Sequence, residues 1–189
     1  MSRRRVEKRC EFGEVLTTLL EKHNETTYSL AEKLGIQQAA VAQYTTCKRF
    51  PNVQILEKIA RGLNLSTEEK RKLYTAYLKI AFSGEAVRML KKVDKNITAE
   101  NVSEKLKSIV DKLGKAYQIS QRAKVNAEFV RKVMNLKFEN MRVIEHKGSF
   151  ASVIRTLNLS PSLEAQVLYL FLKSRKAEDI ISTLTKGNL

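Results

Sequence analysis

A tetrapeptide that occurs twice constrains this chain more than any other feature. Leu63-Asn64-Leu65-Ser66 returns as Leu157-Asn158-Leu159-Ser160, 94 positions later. At the same offset Leu56, Ile59 and Ala60 align with Phe150, Val153 and Ile154, and Tyr77-Leu78-Lys79 aligns with Phe171-Leu172-Lys173. Upstream, an offset of 89 aligns Leu30, Ile36 and Val41 with Ile119, Val125 and Val130. Apolar positions kept in one order over such a span point to a duplicated unit. The five-residue change of offset implies a longer connection in the second copy, between Val133 and Phe150.

Each copy reads as helical. Phe12, Val15, Leu16, Leu19 and Leu20 form one stripe at helical spacing, and Val102, Leu106, Ile109, Val110 and Leu113 form another. Seven Gly, two Pro and the lack of sustained alternation argue against sheet. Helix starts are marked as well. Ser66 with Glu69 has the capping-box pattern. Ser160 precedes Pro161, which suits a first helical position because proline has no N–H to leave unpaired. Thr26 caps a short helix through Leu30, Ala31 and Leu34, and Gly35 ends it, since glycine reaches a left-handed backbone at little cost. Ile36 follows as an apolar wedge, and the next helix turns Val41 and Tyr44 inward with Gln38, Ala39, Ala42 and Gln43 outward.

The run Leu30-Ala31-Glu32-Lys33-Leu34-Gly35-Ile36, with Gln38, Val41, Lys48-Arg49, Pro51 and Leu63, resembles the lambda-repressor-like, or Xre/Cro, helix-turn-helix family over residues 12–78. The expected fold is all-α: two tandem five-helix helix-turn-helix domains joined by a short helical connector. The divisions are a basic arm at 1–10, a DNA-binding domain at 11–82, a connector at 83–98, a divergent second domain at 99–175 and an amphipathic segment at 176–189. The resemblance implies that the third helix enters the major groove of double-stranded DNA, with Gln37, Gln38, Ala39, Ala40 and Gln43 at the bases. A Gln amide both donates to and accepts from the adenine edge, and an Ala methyl suits thymine. Lys48 and Arg49 suit phosphates, as do Arg3, Arg4, Arg5, Lys8 and Arg9 in the arm.

Two departures from the family pattern stand out. Cys47 occupies the position of a common glycine, so a different backbone turn is expected there. Gln37 stands where a Ser or Thr cap is usual. In the second copy Lys124 replaces Gly35, which predicts a looser turn; its candidate DNA contacts are Lys124, Asn126, Arg131 and Lys132. Phe138, Met141, Ile144, Leu170, Phe171, Ile180, Ile181 and Leu184 are apolar residues available to a homodimer interface, or to the second domain's own core. A dimer would set two recognition helices about 34 Å apart on a palindromic operator.

Among 189 residues, 35 Lys and Arg face 20 Asp and Glu, a net charge of +15, which favours an anionic partner. Two histidines, no Gly-rich phosphate loop and no nucleophile elbow give an enzyme nothing to work with, so no catalytic residue, metal or cofactor is expected. Glu68-Glu69 and Glu178-Asp179 read as charge at helix starts. Cys10 and Cys47 make no disulfide framework, so a reducing compartment is expected. No apolar run approaches the roughly 20 residues that span a bilayer, and charged residues follow Met1-Ser2-Arg3-Arg4-Arg5. The expected location is the cytoplasm of a bacterial or phage-infected cell, at the nucleoid. The expected function is sequence-specific transcriptional regulation of the repressor kind. Its competitors are a sequence-neutral DNA packager and a two-domain regulator, resembling anti-CRISPR regulators or antitoxins, whose residues 99–189 bind a protein.

Overall fold

The helical periodicity is realised throughout. The computed structural model describes residues 10–114, 116–138 and 147–186, with side chains from residue 150 onward in the last stretch. Among these residues there are α-helices and one 3-10 turn, and no strand. Five helices make the first half: α1 (Glu11–Lys22), α2 (Thr27–Leu34), α3 (Gln38–Thr45), α4 (Val53–Gly62) and α5 (Thr67–Leu78). Then α6 (Gly84–Met89) runs into the 3-10 turn Leu90–Lys92. Five more follow as α7 (Ala99–Leu113), α8 (Ala116–Ala123), α9 (Ala127–Met134), α10 (Lys147–Leu157) and α11 (Pro161–Ser174), and α12 (Glu178–Thr185) ends the described chain.

The start signals work as anticipated. Thr26 and Ser66 each close a capping box, with Ser29 and with Glu69. Asn52, Thr98, Asn126 and Ser160 also cap their helices through side-chain oxygens. Helices α1 and α5 pack antiparallel, and charge pins both ends: Glu11 meets Lys79 at 2.7 Å and Lys22 meets Glu69 at 2.8 Å. Glu69 is the more constrained carboxylate. The Lys22 ammonium first, then the Ser66 N–H, pull its pKa from 4.5 to about 2.

The repeat is visible in the backbone. Residues with left-handed φ end the turns at equivalent places: Gly35 at 64° and Lys124 at 54°, Cys47 at 57° and Leu136 at 53°, Asn64 at 50° and Asn158 at 46°. The hydrogen bonds correspond too. Gly35 and Ile36 donate to Glu32 and Ala31, and Lys124 and Val125 donate to Gln121 and Ser120. The looser turn expected at Lys124 is therefore not found. The paired hydrogen bonds hold the left-handed conformation without a glycine.

Two aromatic clusters fill the interior. Phe12 meets Phe50 and Tyr77 in the first half. Phe138, Phe150 and Phe171 meet one another in the second, and Phe82, from just before α6, inserts between Phe150 and Phe171. This last contact belongs to an interlock that the sequence boundaries did not anticipate. The connector at 83–98 is partly a wall of the core: α6 packs on α11, and Ala86, Val87 and Leu90 are buried. Its first residue, Ser83, donates through N–H and hydroxyl to the buried Glu164 of α11 at 2.6 and 2.7 Å.

The C-terminal segment makes the reciprocal move. Helix α12 packs on α5 of the first half. Asp179 receives the Tyr74 hydroxyl at 2.6 Å and the Lys70 ammonium at 3.2 Å, while Arg71 donates to the carbonyls of Thr183 and Lys186. Ala177 offers α12 no side-chain cap, and the Glu57 carboxylate of α4 lies near the start of α12, where the Ile180 and Asp179 backbone groups partly offset the effect of burial on it. Burial raises the Glu57 pKa, and the nearby Asp179 charge adds to the effect.

The homodimer assignment needs correction on this point. Phe138, Leu170, Phe171 and Ile180 are buried within the single chain, and Ile181 and Leu184 pack half-buried against the same core. Helix α11 is apolar on nearly every side because α6, α7 and α12 surround it. The four buried side chains are occupied within the chain and are not available to a partner. Met141 and Ile144 lie outside the described residues.

Because Phe82 joins the two halves, Phe82→Ala is expected to cost about 3–5 kcal/mol and to lower a single shared unfolding midpoint. Urea denaturation followed by circular dichroism and by tyrosine fluorescence checks it; separate transitions would contradict the interlock. Glu69 supplies a pH dependence. Its depressed pKa gives stability that is complete above 4.5 and fades as pH falls toward about 2. Glu69→Gln should therefore lower the urea midpoint at pH 7, with the gap to wild type narrowing across that acid range.

Candidate nucleic-acid interface

The site begins with the turn. Gly35, left-handed, reverses the chain after α2, and half-buried Ile36 anchors the turn against the core. Buried Val41 and Tyr44 then fix which face of α3 looks inward. The opposite face carries Gln37, Gln38, Ala39 and Gln43, all exposed. Gln37 is the N-cap of α3 and makes no side-chain cap, so its amide is not committed to the helix end. Ala40 must be removed from the base-reading set. It is half-buried and packs against the core, one residue from Val41, on the wrong face of the helix.

Beyond α3 come exposed Lys48 and Arg49, and both backbone N–H groups donate to the Gln43 carbonyl, at 3.0 and 3.3 Å. That double bond to one acceptor folds the basic loop back onto the end of α3. The turn entering it is left-handed at Cys47, so the altered turn expected from the loss of glycine is not found. The arm residues Arg3, Arg4, Arg5, Lys8 and Arg9 lie outside the described residues.

Cys47 also corrects the reading of the cysteines. It forms a disulfide with Cys10, with Cα atoms 6.3 Å apart. The physical reason is a close approach of α1 to the end of α3. A Cβ on Gly13 would lie 2.3 Å from the Thr45 carbonyl oxygen and 2.8 Å from Cys47 Sγ, so only glycine permits it. The bond ties the last residue of the 1–10 arm to the residue that precedes Lys48. A separation of 37 in sequence gave no sign of this proximity.

The second half shows the same turn geometry with other side chains. Gln37 and Asn126, the N-caps of α3 and α9, have φ and ψ of −68° and 138° against −67° and 140°. Lys124, Asn126, Arg131 and Lys132 are all exposed. Two of them already have partners: Asn126 Oδ1 accepts the Glu128 N–H at 2.7 Å, and Lys132 pairs with Glu128 at 3.1 Å. The structure adds two residues that the sequence reading passed over, the exposed tyrosines Tyr28 and Tyr117. The offset of 89 that aligns Leu30 with Ile119 also aligns these two, a signal already present in the sequence.

No helix among the described residues is long and apolar enough to cross a membrane. No family model, curated protein or solved structure matches the chain.

The disulfide closes a loop containing all of α2 and α3. In the chain-entropy model a loop of 37 residues corresponds to about 4 kcal/mol. Reduction, or the double substitution Cys10→Ser/Cys47→Ser, should lower the unfolding free energy toward that amount. Urea melts with and without a thiol reductant measure it; identical melts for oxidised and reduced protein would show that the bond does not constrain the chain.

Proposed function

We propose that this protein is a sequence-specific regulator that binds double-stranded DNA and reads the major groove with α3, as a repressor does. The observation that carries the reading is the open face of α3. Gln38 and Gln43 are exposed on it among the described residues, behind a left-handed turn and ahead of exposed Lys48 and Arg49. Gln amides satisfy the paired acceptor and donor of adenine, and each good bidentate contact is worth about 1–3 kcal/mol of discrimination. Ala39 is small enough to let the backbone of α3 approach and to meet a thymine methyl. Lys48 and Arg49 fix register on the phosphates, and the charge of +15 supplies attraction that does not depend on sequence.

The resemblance to the Xre/Cro family supports the same reading, as does the repetition of the turn in both halves. We read the two halves as products of duplication, each a helix-turn-helix unit, locked into one body by α6 and α12. Repression follows from binding over a promoter and excluding polymerase. A DNA partner places the protein at the nucleoid of a bacterial or phage-infected cell, where thiols would act on the Cys10–Cys47 bond. A dimer is not needed for the reading.

Selection of bound sites from random duplex DNA by the full-length protein tests the reading. A defined motif containing adenine steps is expected. Gln38→Ala/Gln43→Ala should lose preference for it, by about 1–3 kcal/mol per amide, with non-specific affinity and thermal stability nearly unchanged because both residues are exposed. Equal affinity of the wild-type protein for every duplex would sink the proposal and favour a sequence-neutral packager. Full regulatory activity in the double variant would instead favour a protein target.

A further inference from the structure

Among the described residues only two large apolar side chains are strongly exposed, Tyr28 at 57% and Tyr117 at 62%. A single exposed tyrosine is ordinary. These two occupy the same place: each is the second residue of the helix that precedes the left-handed turn, in α2 and in α8, 89 positions apart. Two further exposed positions recur in chemistry at that offset. Lys33 corresponds to Arg122 late in each first helix, and Lys48 corresponds to Lys137 after each second helix. Turn geometry, a tyrosine hydroxyl and flanking cations are therefore held in common, although the amides of α3 are not.

What replaces the amides is informative. Gln38, Ala39, Ala42 and Gln43 correspond to Ala127, Glu128, Arg131 and Lys132. The two amides give way to Ala127 and Lys132, the two alanines give way to Glu128 and Arg131, and the one carboxylate is held by Lys132 at 3.1 Å. Around α9 the cations Lys124, Arg131, Lys132 and Lys137 outnumber it, and all four are exposed. Asn126, the amide nearest the turn, has its oxygen committed to capping α9. Such a face attracts phosphate, and Lys132 and Glu128 are engaged with each other, which leaves Arg131 as the long side chain of α9 able to reach a guanine edge. A tyrosine hydroxyl, lysine and arginine are among the usual donors to the DNA backbone.

We propose that the second copy holds a second stretch of the same duplex mainly by its phosphate backbone, through Tyr117, Lys124, Arg131, Lys132 and Lys137. The proposal rests on the DNA-binding reading of the first copy and gives the second half a distinct role. One half selects the site, and the other lengthens the contact and anchors it. A single chain then covers more duplex than one recognition helix reaches.

The test uses the full-length protein and the variant Tyr117→Ala/Arg131→Ala/Lys132→Ala, whose altered side chains are all exposed; thermal melting verifies that the variant keeps its fold. Both bind a duplex of about four helical turns carrying the selected motif, and one of equal length with scrambled sequence, over a series of salt concentrations. Loss of two cations should make the slope of log affinity against log salt shallower by about 2. Hydroxyl-radical protection should contract toward the motif while preference for the motif over the scrambled duplex persists. An unchanged slope with an unchanged footprint overturns the proposal. Should the wild-type protein show no preference between the duplexes, base reading by the first copy fails by itself, because the slope comparison is made on either duplex.

Discussion

The left-handed turn between paired short helices is the constraint on which the rest of the molecule depends. Each of α2, α3, α8 and α9 is only eight residues long, too short to be stable alone. Each must be placed by its partner, and one residue with positive φ decides where the second helix goes. Gly35 meets that demand at little cost. Lys124 meets it with a side chain that resists the conformation, as Cys47 and Leu136 do in the turns that follow α3 and α9, at roughly 1 kcal/mol or more apiece. Two backbone hydrogen bonds into the end of the preceding helix over-determine the turn, so the unfavourable residue is tolerated.

Apolar surface and charge are divided by this construction. Tyr28 and Tyr117 apart, the large aromatic side chains of the described residues go inward, and the two halves close on each other through Phe82 and α6 on one side and α12 on the other. Carboxylates are spent on the closure. Glu164 holds Ser83, and Asp179 takes Tyr74 and Lys70. The outward face of α3 carries amides, and that of α9 carries Arg131 and Lys132 with one carboxylate, Glu128, paired to Lys132. These faces suit a polyanion.

The close approach at Gly13 adds a constraint of a different kind. It brings the start of α1 against the end of α3, so that Cys10 and Cys47 bond and the loop carrying Lys48 and Arg49 is tied to the base of the N-terminal arm. The position of the basic loop is therefore set by α1 as well as by the turn that precedes it.

Much of the fold was legible from residues alone because its signals are local. Helical periodicity, the caps at Thr26, Ser66, Asn126 and Ser160, the turn at Gly35 and the five-plus-five helix count each depend on side chains a few positions apart. The exposed face of α3 followed for the same reason, except at Ala40, where a helical wheel cannot say how far α1 overlaps the edge of α3. Other features needed the tertiary structure because they join distant segments: the disulfide across 37 residues, the reversal of α12 onto α5, and the burial of Phe138, Leu170, Phe171 and Ile180 within one chain. The sequence by itself determined which residues are helical and which are apolar, since backbone propensity and periodicity act over a single turn. Only the packed structure decided which apolar face meets which, since that depends on the shapes of surfaces brought together from opposite ends of the chain.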